Sequence, residues 1–292
     1  MDVAVSVVVP VYNGASTLEA CLRALQTQAL REPYEVIVID DGSTDATAEI
    51  AARYNVRLIS QPNAGAPAAR NRGIAAARGT WVAFTDPHCT PSRSWLARLL
   101  TAVRSDTNAF GAAGRIAGHL SETPAARFVD SYGGLDAQRT LAHPRFPWAP
   151  SGNLMYRRDA LQAVGGYDER YATFDACDLH TRLLERFSGT FPYEPAALVL
   201  HRHRGDWRAY WKQQFFYGVG YAQFLLRHRD KTHWSAWHEI TSLARVIAAG
   251  VAAVLPAGAD GALVRRGMFV RQAAQHAGFV RTYFSLRERR RW

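Results

Sequence analysis

Lysine is nearly missing from this chain: only two of its 35 basic residues are lysine, the rest arginine. The composition is therefore arginine-biased, and positive charge alone does not identify a partner. Cysteine is scarce as well. Cys21, Cys89 and Cys177 are an odd number without a Cys-x-x-Cys spacing, which excludes a disulfide framework and a zinc knuckle and predicts free thiols. No apolar run reaches the roughly 20 residues needed to span a bilayer. Asp2 runs straight into the apolar stretch 3–11, without the basic start, apolar core and small-residue cleavage site of a secretory leader, so a cytoplasmic location is expected. No internal repeat or low-complexity tract is present.

The 292 residues, 48% of them hydrophobic, are enough for one large α/β domain, or one domain with an appendage, around a buried core. The net charge of +10 is unevenly distributed. Residues 1–200 carry 19 basic against 20 acidic side chains, whereas 201–292 carry 16 against 5. A basic end of this kind meets an anionic membrane, a nucleic acid or an acidic substrate, or is only a solvated face.

The first hundred residues alternate apolar runs with helical patterns. Residues 3–11, nearly continuous in valine, predict a strand covered on both faces. Ser16-x-x-Glu19 reads as a capping box ahead of a helix whose apolar face is Leu18, Cys21, Leu22 and Leu25. A second buried strand is expected at 35–39, a helix capped by Ser43 running to about Tyr54, a short strand at 57–60, a helix at 68–77 and a strand at 81–85. This rhythm means a parallel sheet with right-handed crossovers. Ligands gather at the carboxyl ends of such strands, and the polar clusters fall there: Pro10-Val11-Tyr12-Asn13-Gly14, Asp40-Asp41-Gly42-Ser43-Thr44-Asp45 and Thr85-Asp86-Pro87-His88. Three loops should face one crevice. Beyond Pro144, Pro147 and Pro150 the texture changes to that of an acceptor half. Helices are then expected at 175–187, with Asp175, Asp178 and Arg182 on one face, at 207–229 and at 242–255.

The segments Ser6-Val-Val-Val-Pro-Val-Tyr-Asn13, Val36-Ile-Val-Ile-Asp-Asp-Gly-Ser-Thr-Asp45, Asn63-Ala-Gly65 with Ala69-Arg-Asn-Arg-Gly-Ile74, and Phe84-Thr-Asp-Pro-His88 together resemble the family 2 glycosyltransferases. The resemblance covers residues 3–105 and continues over 150–200 through Asn153-Leu-Met-Tyr-Arg-Arg-Asp-Ala-Leu161 and Gly165-Gly-Tyr-Asp168. It implies an α/β protein of GT-A fold, with a Rossmann-like, mostly parallel sheet flanked by helices and a helical C-terminal extension. The implied division is a glycosyltransferase domain at 1–205, with a nucleotide-sugar half at 1–105 and an acceptor half at 106–205, and a basic helical extension at 206–292. The implied activity is inverting transfer of a hexosyl-type sugar from a nucleotide diphosphate sugar, a UDP-sugar by preference, to an acceptor hydroxyl. A cell-envelope polysaccharide, a lipid carrier and a small metabolite are all compatible acceptors.

Chemically, Tyr12 offers a flat wall for a nucleotide base and Asp41 an acceptor for a base N–H. In the family the matching Tyr and second Asp do this work, the Arg matching Arg70 lies against the nucleotide, and Pro10, Asn13, Asp40, Gly42 and Asp86 complete the implied nucleotide site. Asp41 and Ser43 are equally suited to capping a helix that begins near Thr44. Asp86 matches the first Asp of the family's Asp-x-Asp, which holds a divalent cation against the diphosphate; the third position is His88. A His after the apolar run 196–200 often returns to the metal in the family, here His201 in preference to His203. Asp86, His88 and His201 are thus the implied metal ligands, and imidazole favours Mn²⁺ over Mg²⁺. For the general base that inversion requires, the resemblance points to Asp175, with Asp178 in reserve; Ala176 stands where the family usually carries its base. Asp178 is expected to pair with Arg182 along the helix, leaving Asp175 as a free carboxylate.

His88 and Ala176 also motivate an alternative, a catalytically impaired nucleotide-binding or scaffold protein of the same fold. No nucleic-acid-binding module is recognisable. The apolar stretch 246–255 and the cluster Arg287, Arg289, Arg290, Arg291 and Trp292 predict peripheral attachment to an anionic membrane surface.

Overall fold

The computed structural model describes residues 2–119, 121–132, 134–232 and 236–289. Arg290, Arg291 and Trp292 of the basic cluster lie outside the described residues, as do the side chains of Arg287 and Arg289. The chain forms two compact units, one of residues 1–119, 135–169 and 175–202, the other of 120–134, 170–174 and 203–292.

The first unit opens with β1 (Val5–Val11), α1 (Leu18–Gln26), β2 (Tyr34–Asp40), α2 (Thr47–Ala52), β3 (Arg57–Ser60), α3 (Ala66–Ala76) and β4 (Trp81–Phe84). β1, β2, β3 and β4 pair in parallel. The valines of β1 serve two cores: Val5, Val7, Val9 and Val11 face α1, while Val8 faces Ile37, Ile39 and Ile74 of α3. A strand buried on both faces has no reason to alternate apolar with polar residues. Next come β5 (Cys89–Pro91), α4 (Trp95–Arg104) and β6 (Gly111–Gly118); α5 (Pro124–Tyr132) belongs to the other unit. The first unit resumes with α6 (Ala137–Leu141), β7 (Leu154–Arg157), α7 (Arg158–Ala163), α8 (Asp175–Arg186) and β8 (Tyr193–His201). The sheet order is β3-β2-β1-β4-β7-β6-β8-β5; β7 runs antiparallel to β4 and β6, and β5 antiparallel to β8.

Two expected caps do not form. The N-cap of α1 is Thr17 and makes no side-chain capping bond; Glu19 instead accepts from Arg23 and from the Tyr54 hydroxyl. The helix after β2 begins at Thr47 rather than near Ser43, because Asp45 Oδ1 accepts from the Thr47 amide at 3.1 Å. Ser43 Oγ is taken by the amide of Asn13 at 2.9 Å. Tertiary donors outcompete the local caps.

The second unit is helical: α5, α9 (Trp207–Arg227), α10 (Arg229–Thr232), α11 (Ala236–Val254) and α12 (Ala259–Arg289). α9 and α12 cross where glycines let the backbones touch. A Cβ at Gly218 would stand 1.9 Å from the Gln275 carbonyl oxygen, and one at Gly278 would stand 2.0 Å from that of Phe215. No described helix is long and apolar enough to cross a membrane.

Candidate active site

Parallel pairing sets the carboxyl ends of β1, β2 and β4 side by side, and their loops are stitched together. Asn13, with a left-handed φ of 49°, turns its Oδ1 to the Thr44 amide at 2.8 Å. The amides of Gly14 and Ala15 donate to Thr47 Oγ1 at 2.9 Å and Asp45 Oδ2 at 3.1 Å. These bonds leave Tyr12 projecting, 53% exposed, at the crevice edge. Asp41 is buried, and its carboxylate accepts from four donors of its own fold: Gln61 Nε2, Asn63 Nδ2 and the amides of Ala64 and Gly65, at 2.8–3.3 Å. Four bonds fill a carboxylate, so a base N–H reaches Asp41 only by displacing one. Asp40, also buried, accepts from the Ser43 amide at 3.0 Å.

Arg70, in the middle of α3, is the electrostatic centre of the site. Its Nη1 bonds Asp175 Oδ2 at 2.6 Å and its Nη2 lies 3.5 Å from Asp86 Oδ1. The guanidinium covers the Tyr167 ring at 5.4 Å. Burial by itself lowers the Arg70 pKa, but the carboxylates of Asp175 and Asp86 outweigh it and raise it, so this side chain is a fixed cation. Asp175 is therefore not the free carboxylate expected from the helix pattern: the partner that holds it lies on a different helix. Asp178 is wholly buried and accepts from Arg182 Nε at 2.7 Å, while Arg182 also donates to the carbonyls of Val164 and Gly166. That pair anchors α8 to the turn after α7.

At the other edge of the crevice, His88 Nε2 and His201 Nε2 are 2.9 Å apart, with rings at 89°. The antiparallel β5–β8 register sets Cys89 opposite His201, and the donor atoms of His88, Cys89 and His201 all lie within 4.8 Å of one another. Asp86 is not in that group. Its Oδ2 and the Cys89 Sγ flank Gly152, 3.1 and 3.6 Å from where a Cβ there would stand. His203 pairs instead with Asp130 at 3.4 Å.

The profile described as glycosyl transferase family 2 matches residues 6–165. This chain belongs to that family. It is 36% identical over 236 residues to the pre-mycofactocin glycosyltransferase of Mycobacterium tuberculosis, a match covering 78% of this chain and 49% of the relative; the chain spans about half the length of that curated relative. The solved mannosyltransferase PcManGT from Pyrobaculum calidifontis, in complex with GDP-Man and Mn²⁺, is similar with a TM-score of 0.67 at 20% identity, over 98% of this chain and 88% of that one. S. aureus TarS 1-349 in complex with UDP-GlcNAc has a TM-score of 0.59 at 16% identity, over 98% and 92%. These likenesses establish the expected GT-A fold.

Two residues of this family 2 chain entered the site without a sequence-based expectation. Tyr167 stacks on Arg70 because Asn71 grips its turn, donating to the Tyr167 carbonyl and accepting from its amide, both at 2.8 Å. Cys89 follows His88 directly, and adjacency to a candidate ligand was the available signal; its pairing with His201 depends on a strand contact more than a hundred residues away in sequence.

Proposed function

We propose that this chain is an inverting glycosyltransferase that moves a sugar from a nucleotide diphosphate sugar, a UDP-sugar by preference, to an acceptor hydroxyl. The observation that carries the reading is the Arg70 node, which sets a buried cation between Asp86, at the diphosphate end of the crevice, and Asp175, at the edge of the acceptor half. The donor's base lies on Tyr12. Asp41 accepts the base N–H by giving up one of its four internal bonds, the others shaping the 61–65 wall of the pocket, and Asp40 stands beside it in the nucleotide site. Pro10, Asn13 and Gly42 hold the two loops at the turn geometry a nucleotide needs. Arg70 meets the diphosphate, and every charge it gives to phosphate oxygens is withdrawn from Asp175. Asp175 then accepts the proton of the acceptor hydroxyl as the oxygen attacks the anomeric carbon from the face opposite the diphosphate, which leaves with the bonding electron pair. Asp178, closed off by Arg182, keeps α8 in position.

The donor set at this edge fits a divalent cation: the Nε2 atoms of His88 and His201, hydrogen-bonded to each other at 2.9 Å, and the Cys89 Sγ lie within 4.8 Å of one another. His88 and His201 would hold it, joined by Asp86 once its carboxylate turns from Arg70, and Mn²⁺ suits imidazole better than Mg²⁺ does. A bound cation supplies neutralisation of the charge that builds on the departing diphosphate. Work at an anionic membrane surface is supported by the basic C-terminal third and by the exposed stripe of α11.

The test is a thermal-shift panel of UDP, GDP and their sugars with and without Mn²⁺, followed by assay of nucleotide release. A nucleotide at about 100 times its dissociation constant adds roughly 2.7 kcal/mol. Stabilisation by uridine nucleotides above guanosine ones, and EDTA-sensitive release of UDP, are expected. Release unchanged in EDTA removes the cation from the mechanism, and a shift by GDP alone reverses the base preference.

A further inference from the structure

The cluster at the β5–β8 edge carries more than the imidazoles that a hard-ion site needs. Directly opposed residues of an antiparallel pair share a sheet face with Cβ atoms about 4.5–5.5 Å apart, and Cys89 and His201 are such a pair. His88 approaches from the preceding turn, its Nε2 at 2.9 Å from that of His201. In a tetrahedral site two nitrogens each about 2.1 Å from the ion are about 3.4 Å apart, so these imidazoles need to part by only about 0.5 Å, giving up their mutual hydrogen bond, to share one ion. Cys89 Sγ closes the triangle within 4.8 Å. Among the described residues no other trio of His, Cys and carboxylate donors converges in this way. Asp86, the oxygen ligand that a hard ion would seek, is engaged with Arg70. His88 is partly buried, while Cys89 and His201 are buried, Cys89 against the core that α1 covers.

We propose that His88, Cys89 and His201 form a two-nitrogen, one-sulfur site selective for a thiophilic divalent ion, Zn²⁺ or Co²⁺, with the Cys89 thiolate as third ligand. The inference rests on reading this edge as the cation site and specifies which ions it prefers. Binding forms two N–metal bonds and one Sγ–metal bond, displaces three waters from the ion and releases the thiol proton to solvent; nothing is oxidised or reduced. Imidazole and thiolate together rank Zn²⁺ and Co²⁺ above Mn²⁺ and Mg²⁺, whose partners are carboxylates and water. Zn²⁺ therefore competes with Mn²⁺ at the same edge.

Titration of the full chain with Co²⁺, followed by absorption, tests this without any turnover. The expected result is a near-ultraviolet thiolate-to-cobalt charge-transfer band together with intense visible bands of a low-coordinate ion, one equivalent per chain, abolished by excess Zn²⁺. The charge-transfer band should survive in Cys21→Ser, vanish in Cys89→Ser, and Zn²⁺ affinity should fall about 10-fold or more in Cys89→Ser while Mn²⁺ affinity changes less than about 3-fold. Binding of Co²⁺ without the band overturns the thiolate assignment and leaves the cation site standing; absence of any Co²⁺ or Mn²⁺ binding overturns both. X-ray absorption of the Zn²⁺-loaded parent decides the matter even if Cys89→Ser does not fold: a sulfur shell at about 2.3 Å is expected, and only nitrogen and oxygen at about 2.0–2.2 Å refutes it.

Discussion

Arg70 holds Asp175 at 2.6 Å in a buried pair and lies 3.5 Å from Asp86, so Asp175→Asn removes its nearer counterion and Arg70→Met leaves two carboxylates without theirs. Removal of one partner of such a pair costs roughly 3–5 kcal/mol, whereas replacing both with apolar or neutral groups is often nearly neutral. Arg70→Met and Asp175→Asn should each lower the unfolding free energy, and the double variant should recover part of the loss, Asp86 still lacking its cation. Turnover behaves differently. Asp175→Asn, alone or in the double variant, is expected to reduce it by on the order of 10²–10⁴, because the amide accepts no proton. Asp178→Asn should lower stability through Arg182 while turnover falls in proportion to folded protein; loss of turnover confined to Asp178→Asn would reverse the two roles. A second residue-scale expectation concerns His180, buried against Tyr156 with Nδ1 3.2 Å from the hydroxyl. Burial pulls its pKa down to about 4, from about 6.5 in an unfolded chain. Between those values the unfolded chain binds the extra proton, so stability falls as pH drops from about 6.5 to about 4, by on the order of 3 kcal/mol, and is unaffected by this group above that window. Urea unfolding at pH 7 and pH 5 should show the slope in the parent and a smaller one in His180→Gln.

Among the elements, β1 and β2 were legible because a strand buried on both faces is written as an unbroken apolar run, and α8 because Asp175, Asp178 and Arg182 repeat at helical spacing. The caps were not. Ser16–Glu19 and Ser43 satisfy a local pattern, but Asn13 and Tyr54 compete for their oxygens from other loops, and such donors appear only once strands pair. The same limit hid the Arg70–Asp175 bond, which joins α3 to α8, and the pairing of Cys89 with His201. Asn153 illustrates the cost of reading a motif without its contacts. The segment carrying it reads as part of an acceptor half, yet its amide donates to the carbonyls of Arg115 and Ala197 and its Oδ1 accepts from Trp95 Nε1 at 2.7 Å. It ties β6, β8 and α4 together from within the core. Asn153→Ala would orphan all three groups, and with about 1–3 kcal/mol for each buried unsatisfied group it should destabilise the first unit by roughly 3 kcal/mol or more in chemical denaturation. Substitution by Asp, which keeps the acceptor for Trp95 but buries a carboxylate oxygen against the two carbonyl oxygens, should cost at least as much. In the second unit the crossing of α9 and α12 tolerates no side chain at Gly278, so Gly278→Val should open that pair, seen as loss of amide-exchange protection in both helices.

For the molecule as a whole, net charge and exposed apolar surface coincide in the C-terminal third. Its 16 basic against 5 acidic residues hold all the excess charge, and α11 exposes Leu243, Ile247 and Val251 at intervals of four, with Leu255 one residue past its end, each 48–60% accessible. That spacing makes one apolar stripe along a helix, with Arg245 exposed beside it. A solvated arginine-rich face needs no such stripe, and a stripe without the charge has no reason to prefer one lipid over another. Both together are what attachment to an anionic bilayer surface requires. The protein should sediment with phosphatidylserine-containing vesicles at low salt and not with neutral ones, with attraction of about 1 kcal/mol for each arginine near the surface. Raising ionic strength to about 0.5 M should weaken binding as the Debye length contracts, yet leave a residue of affinity that belongs to the stripe. Replacing Ile247 and Val251 with Asp should remove that residue and lower binding at low salt by at least about 10-fold, since burying each such side chain is worth roughly 1.5–3 kcal/mol. Equal binding to neutral and anionic vesicles would assign the attachment to the stripe alone. If parent and double variant alike remain in the supernatant at low salt, the membrane reading fails and the arginines are a solvated face.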